Sequence, residues 1–116
     1  MNDKDILLAE KFIEFVNIVR RLRKECPWDI EQTHSSLRRC LLEESYEVLE
    51  AIDNNNMTEL KKELGDLMLQ VVFHGIMGEE TSDFDLIQVL EEETKKLIFR
   101  HPHVFGNADL KNSEEV

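Results

Sequence analysis

Two acidic pairs placed symmetrically about a polar turn constrain this chain more than any other feature. From Glu43 to Asp66 it reads EESYEVLEAIDNNNMTELKKELGD. Asp53 to Asn56 (DNNN) are turn formers whose side chains compete with helical backbone bonding. A helical hairpin folded at Asn55 sets Glu47 against Glu63, each eight residues from the fold, and Glu44 against Asp66, each eleven away. The i, i+3 spacing keeps both carboxylates of each helix on one face, in two layers separated by about 4.5 Å of rise. Four acidic side chains are therefore expected to converge on one spot.

Such a convergence needs a cation, because carboxylates sharing a site disfavour one another's ionised forms. Of the four, only Asp66 has a basic residue one helical turn away, Lys62. Apolar residues at Leu37, Leu41, Val48 and Ile52, then at Leu60, Leu64, Leu67 and Val71, are expected to form a buried stripe beside the acids. All-oxygen ligation favours a hard ion such as Mg²⁺, with Mn²⁺ as a substitute; Mg²⁺ keeps several waters and is commonly completed by substrate phosphates. The plain alternative is a solvated acidic face. Glu50 is expected to point outward, uninvolved.

With 116 residues the chain is expected to be one domain. Its 14 basic and 25 acidic residues give a formal charge of −11, which argues against nucleic acid and anionic membrane as partners. An anionic small substrate is still permitted, since a metal inverts the local field. Cys26 and Cys40 form neither a CxxC pair nor a disulfide framework. No apolar run approaches the ~20 residues that span a bilayer, and the start MNDKDILLAEKF lacks the features of a secretory signal. A cytoplasmic protein is expected.

Along the chain, Ile6, Phe12, Ile13, Val16, Val19 and Leu22 recur at spacings of three and four, predicting a helix over 4–24 capped by Asn2 or Asp3. Pro27 ends it, and ECPWDIEQTH reads as a loop with His34 near the start of a second helix over 35–53. Asn56 followed by Glu59 resembles a capping box for a third helix reaching Glu80. Thr81 to Asp83 break it, and a fourth helix is expected over 84–99. HPHVFG should be extended or turning, since Pro102 disfavours helix at His101. Ser113 with Glu114 and Glu115 reads as the start of another helix, as if the chain were a fragment of a longer protein. No segment alternates as a strand. The expected fold is all-α, an antiparallel four-helix, bundle-like domain, small and highly charged, whose core is completed by homodimerisation.

Taken together, CPWDIEQTH, the EExxE followed by ExxD, FHGIMGEE and KLIFRHPHVFG resemble the MazG family of nucleoside triphosphate pyrophosphohydrolases. The resemblance covers about residues 15–106. It implies an all-α homodimer that hydrolyses NTPs and dNTPs between the α- and β-phosphates with Mg²⁺, giving the monophosphate and pyrophosphate. Carried over by position, it makes Glu44, Glu47, Glu63 and Asp66 the metal ligands. Glu43 becomes an outer carboxylate that orients water or serves a second metal. Glu47, with Glu44 next, is the candidate general base.

The same resemblance makes Lys96 and Arg100 phosphate contacts, with His101 beside them; a guanidinium fork suits bidentate phosphate binding. Their plain alternative is a cation at a helix C-terminus. Lys62 is a further phosphate candidate, although the family often carries an acid there. Trp28 is a candidate for stacking on the base, against the alternative of a core or interface indole. His74 is expected to be a satisfied core histidine. A zinc site of Cys26, Cys40 and His34 lacks paired ligand spacing. A di-iron bundle would need Glu-x-x-His pairs, which are absent. The non-catalytic reading is an acidic helical nucleotide-binding or interaction domain.

Overall fold

The computed structural model describes residues 1–106, and every element among them is helical. The elements are α1 (Asp3–Glu25), α2 (Pro27–Ile30), α3 (Arg38–Asp53), α4 (Met57–Glu80), α5 (Leu86–Arg100) and α6 (Pro102–Phe105). The helix start expected at Ser113 lies outside the described residues.

Capping chemistry sets most boundaries. The Asn2 side chain accepts from the Asp5 amide at 2.8 Å and Asn56 from the Glu59 amide at 3.1 Å. The box expected at Asn56 is only half made, since the Glu59 carboxylate accepts from Lys62 instead. A complete capping box sits at α5, where Asp85 accepts from the Gln88 amide and Gln88 from the Asp85 amide. Pro27 does stop α1, but it also opens the one-turn α2, because proline is pre-organised for a first helical position. Pro102 does the same for α6, so HPHVFG is largely helical rather than extended.

The second long helix starts at Arg38, three residues later than expected. Thr33 and Ser36 exchange bonds, amide to hydroxyl at 2.8 and 3.0 Å, and hold 34–37 as a turn. α3 then ends in a Schellman motif: Asn55 (φ 51°) is left-handed, the Asn56 amide reaches the Ala51 carbonyl and the Asn55 amide that of Ile52. Asparagine tolerates this conformation better than other residues with a Cβ. α4 ends identically about Ser82 (φ 58°), with Asp83 and Ser82 amides on the Gly78 and Glu79 carbonyls.

The core is small. Val16 and Val19 of α1, Leu37 before α3, and Val72, Phe73, Ile76 and Met77 of α4 are buried together, with Phe12, Phe15, Cys40, Leu69 and Leu86 against them. α4 is the central helix, packing on α1, α3 and α5. Gly75 and Gly78 flatten its last turns so that Leu86 lies on one and the Phe84 ring on the other. The apolar stripe expected along the hairpin is buried only in part. Leu37 is 1% exposed and Val48, Leu60 and Leu67 are half-buried, whereas Leu41, Ile52, Leu64 and Val71 face outward.

The same holds on α1, where Ile6, Ile13 and Leu22 are exposed. α5 packs on α4 and α6 but on neither α1 nor α3, leaving Leu90, Leu97, Ile98 and Phe99 uncovered. The radius of gyration is 17.5 Å, against about 13 Å for a compact domain of this length. A single chain is thus an open helical assembly, not a closed four-helix bundle. No described helix is long and apolar enough to cross a membrane.

Candidate metal centre

The α3–α4 hairpin, folded by the left-handed Asn55, brings acids of both helices together. Carboxylate oxygens of Glu44, Glu63 and Asp66 lie within 4.8 Å of one another. Glu47 is not in this set. It stands exposed one turn nearer the hairpin fold, lining with Glu63 a cleft of about 100 Å³ that also touches Glu50, Asn54, Asn56 and Glu59. No basic side chain holds it inward, and repulsion from Glu44 and Glu63 favours solvent. Glu50, expected to be uninvolved, belongs to the same cleft wall. Glu43 is exposed and pairs with Arg39 at 3.1 Å, one turn back on its own helix.

The electrostatics are those of a site short of positive charge. Burial, then the charges of Asp66, Glu47 and Glu43, hold the Glu44 carboxyl above its ordinary range. Glu63 is raised likewise, by desolvation first and then by Asp66, Glu47, Glu44 and Glu59. Among the described residues none of the four central acids makes an ion pair. Mg²⁺ binds oxygen at ~2.0–2.1 Å, so opposite ligands of its octahedron lie ~4.2 Å apart. Three oxygens already within 4.8 Å fit such an ion with small side-chain movement.

The basic candidates stand elsewhere. Lys62 is drawn to Glu59 at 3.4 Å, and Lys96 to Glu93 at 3.5 Å. Lys96 and Arg100 are exposed on α5, which does not pack against α3 in the same chain. His101 turns back on its own helix, its Nδ1 2.6 Å from the Leu97 carbonyl oxygen, with the His103 ring 5.5 Å away. Trp28 is 56% exposed on α2, so it is not a core indole. Its carbonyl accepts from the Gln32 side chain at 2.8 Å.

Two features escaped sequence reasoning. Arg23, which nothing in the sequence singles out, ties α2 and its following loop to α4. His34, for which the sequence leaves capping and substrate contact equally open, instead meets His74, their Nδ1 atoms 2.7 Å apart and their rings stacked at 5.0 Å. The cap-like bonds come from Thr33 and Ser36. His74 is consequently not a fully satisfied core histidine: Nε2 is buried without a partner. Both cysteines are free thiols.

A helical hairpin carrying clustered carboxylates marks an acidic helical domain able to offer oxygen ligands to a cation. The family is specified by similarity: residues 32–105 match the model of the MazG nucleotide pyrophosphohydrolase domain. The chain is 48% identical over 99 residues to the Thermotoga maritima nucleoside triphosphate pyrophosphohydrolase/pyrophosphatase MazG, covering 84% of this chain and 39% of that protein. It is 44% identical over 119 residues to the Escherichia coli nucleoside triphosphate pyrophosphohydrolase, covering 100% of this chain and 42% of the relative. An uncharacterized Bacillus subtilis protein, YabN, is 41% identical over 112 residues, 95% of this chain and 23% of its own length. The chain therefore belongs to the MazG nucleotide pyrophosphohydrolase domain family, and it spans less than half the length of these relatives.

Proposed function

We propose that this domain hydrolyses nucleoside triphosphates between the α- and β-phosphates with Mg²⁺, releasing the monophosphate and pyrophosphate. The observation that carries the reading is the meeting of Glu44, Glu63 and Asp66 across the hairpin, in a chain whose relatives are named for pyrophosphohydrolysis. These three supply oxygen ligands, and Glu47 completes the set by swinging in from the cleft wall. The ion, when bound, neutralises phosphate charge and lowers the pKa of a coordinated water. Mn²⁺ is a substitute of similar ligand preference.

The chain's own groups do the rest. Glu47, or Glu44 in its place, accepts the proton of the attacking water as its oxygen bonds the α-phosphorus. The bond to the bridging oxygen breaks, and its electron pair leaves with pyrophosphate. Glu43 orients water from outside the set. Arg100 and Lys96 offer a fork and a point charge to the phosphates, with His101 beside them, and Lys62 is a further contact once released from Glu59. Trp28 offers an exposed face to the base.

A homodimer fits the apolar surface left open by one chain. Phe99, 85% exposed, and its neighbours Leu97 and Ile98 form a face that a monomer does not cover. A second copy packed there completes a helical bundle. The net charge of −11 opposes nucleic acid as a partner. The substrate is a small anion met by metal and arginine.

Product analysis with a panel of NTPs and dNTPs plus Mg²⁺ tests the reading. Monophosphate and pyrophosphate support it. Diphosphate and orthophosphate would keep the metal site and move the cleaved bond, whereas no turnover with Mg²⁺ or Mn²⁺ would leave a binding domain.

A further inference from the structure

The carboxylates lie along a hairpin that is tethered at both ends. At one end is the covalent turn about Asn55. At the other, beyond Asp66 along α4, the segment leading into α3 meets α4 through the side-chain contact of His34 Nδ1 with His74 Nδ1 at 2.7 Å, while Arg23 of α1 holds its Gln32 carbonyl at 2.9 Å. The rings are stacked within 10° of parallel, and Phe84 covers His34 at 6.1 Å. Leu37, which this segment inserts into the core, lies three residues further on, and Glu44 follows two turns later.

We propose that His74, through His34, is a positioning residue of the carboxylate site: the imidazole pair fixes where α3 starts against α4, and so the approach of Glu44 to Asp66. The proposal rests on the metal-site reading above. His74 touches neither metal nor substrate.

The contact has a built-in pH limit. Two facing Nδ1 atoms at 2.7 Å share one hydrogen, so one ring donates and the other accepts. One added proton leaves the bond intact, with an imidazolium as the donor. A second puts hydrogens on both facing nitrogens and breaks it. Burial, then the neighbouring His34, holds His74 below the ordinary histidine range, which keeps the latch closed to a lower pH.

Apart from Arg38 of α3 and Glu31, both exposed, the charged groups on the surrounding elements are engaged elsewhere. Arg23 of α1 holds Glu80 of α4, Arg20 of α1 pairs with Glu79, Asp83 accepts from Thr81, and Asp85 caps α5. On α3, Arg39 pairs with Glu43, one turn past Cys40.

Three variants test the latch. His74→Phe keeps a stacked ring without the bond, His74→Gln keeps an amide partner that does not titrate, and His34→Ala removes the bond from the exposed side. Mn²⁺ affinity by calorimetry is expected to fall about tenfold in His74→Phe and His34→Ala and to return towards wild type in His74→Gln. Acid should weaken Mn²⁺ binding more steeply in wild type than in His74→Gln, where only the carboxylates titrate, and ring NMR should place His74 below the ordinary histidine range. Hydrogen exchange over 33–41, which needs no metal, should quicken in His74→Phe and His34→Ala.

Unchanged Mn²⁺ affinity in both bond-breaking variants would overturn the positioning role, as would an acid profile in His74→Gln identical to that of wild type. Unchanged exchange would overturn the tether itself. A wild-type protein that binds no Mn²⁺ would instead remove the metal-site reading, and the positioning role with it, while exchange still decides whether the tether exists. If His74→Phe fails to fold, His34→Ala carries the same comparisons.

Discussion

Arg23 and Glu80 are joined by two parallel bonds, Nε to Oε2 at 2.9 Å and Nη2 to Oε1 at 3.0 Å. The remaining nitrogen, Nη1, donates to the carbonyls of Asp29, Ile30 and Gln32 at 2.6, 3.1 and 2.9 Å. The guanidinium also lies 5.7 Å from the Phe73 ring centroid. One side chain, 16% exposed, thus binds α2 and the next loop to the ends of α1 and α4. Planar, five-donor geometry is what allows this, and lysine lacks it. Arg23→Ala should lower stability by about 3 kcal/mol, because it leaves carbonyls and a carboxylate without their partner. Arg23→Lys should recover less than half. Chemical denaturation reads both.

The acidic cluster makes opposite predictions for stability and activity. Asp66→Asn and Glu44→Gln remove mutual repulsion, so the metal-free variants should melt at or above the wild-type temperature. Both should lose the Mg²⁺-induced rise in melting temperature and all Mg²⁺-dependent turnover. Glu47→Gln should also abolish turnover with helical content unchanged. Glu50 now lines the cleft beside Glu47, so Glu14, an exposed partner of Lys11 on α1, is the better control and should tolerate glutamine.

Acid should act in two separable windows. His74 has a depressed folded-state value, so the unfolded chain binds more protons in this window and stability rises with pH. Its contribution is complete above the unfolded value of about 6.5 and is lost as pH falls towards the folded one. His74→Gln should flatten this part of the stability–pH curve. Glu44 and Glu63 are raised, so their protonation favours the folded state as pH falls towards the ordinary carboxylate range. The stabilisation by Mg²⁺ should therefore be larger at neutral pH than near pH 5. Equal shifts at both would count against these carboxylates as ligands.

Backbone conformation and close approach are tested by four further substitutions. Asn55→Gly should be neutral or stabilising at φ 51°, whereas Asn55→Ala should cost about 1 kcal/mol. A Cβ on Gly75 would stand 2.5 Å from Leu86 Cδ2, and one on Gly78 2.7 Å from the Phe84 ring. Gly75→Ala and Gly78→Ala should each cost about 1–3 kcal/mol as the α4–α5 turn is pushed outward. Thermal melts check all four.

The sequence alone determined the four long helices, the hairpin and the height at which its acids meet. Turn formers, caps and i, i+3 spacing act over a few residues, and Asn55 is where the chain folds. Distance along the chain then fixes that Glu44 lies level with Asp66. Tertiary structure decided what depends on neighbours far away in sequence. Glu47 stays outside the three-acid set because nothing positive holds it in. Half the expected apolar stripe faces outward because α5 leaves the hairpin uncovered and the core gathers around α4 instead. Nothing local in the sequence announces what His34 and Arg23 bind. Their partners, His74 and Glu80, lie 40 and 57 positions away, and only packing against α4 brings them within hydrogen-bond reach.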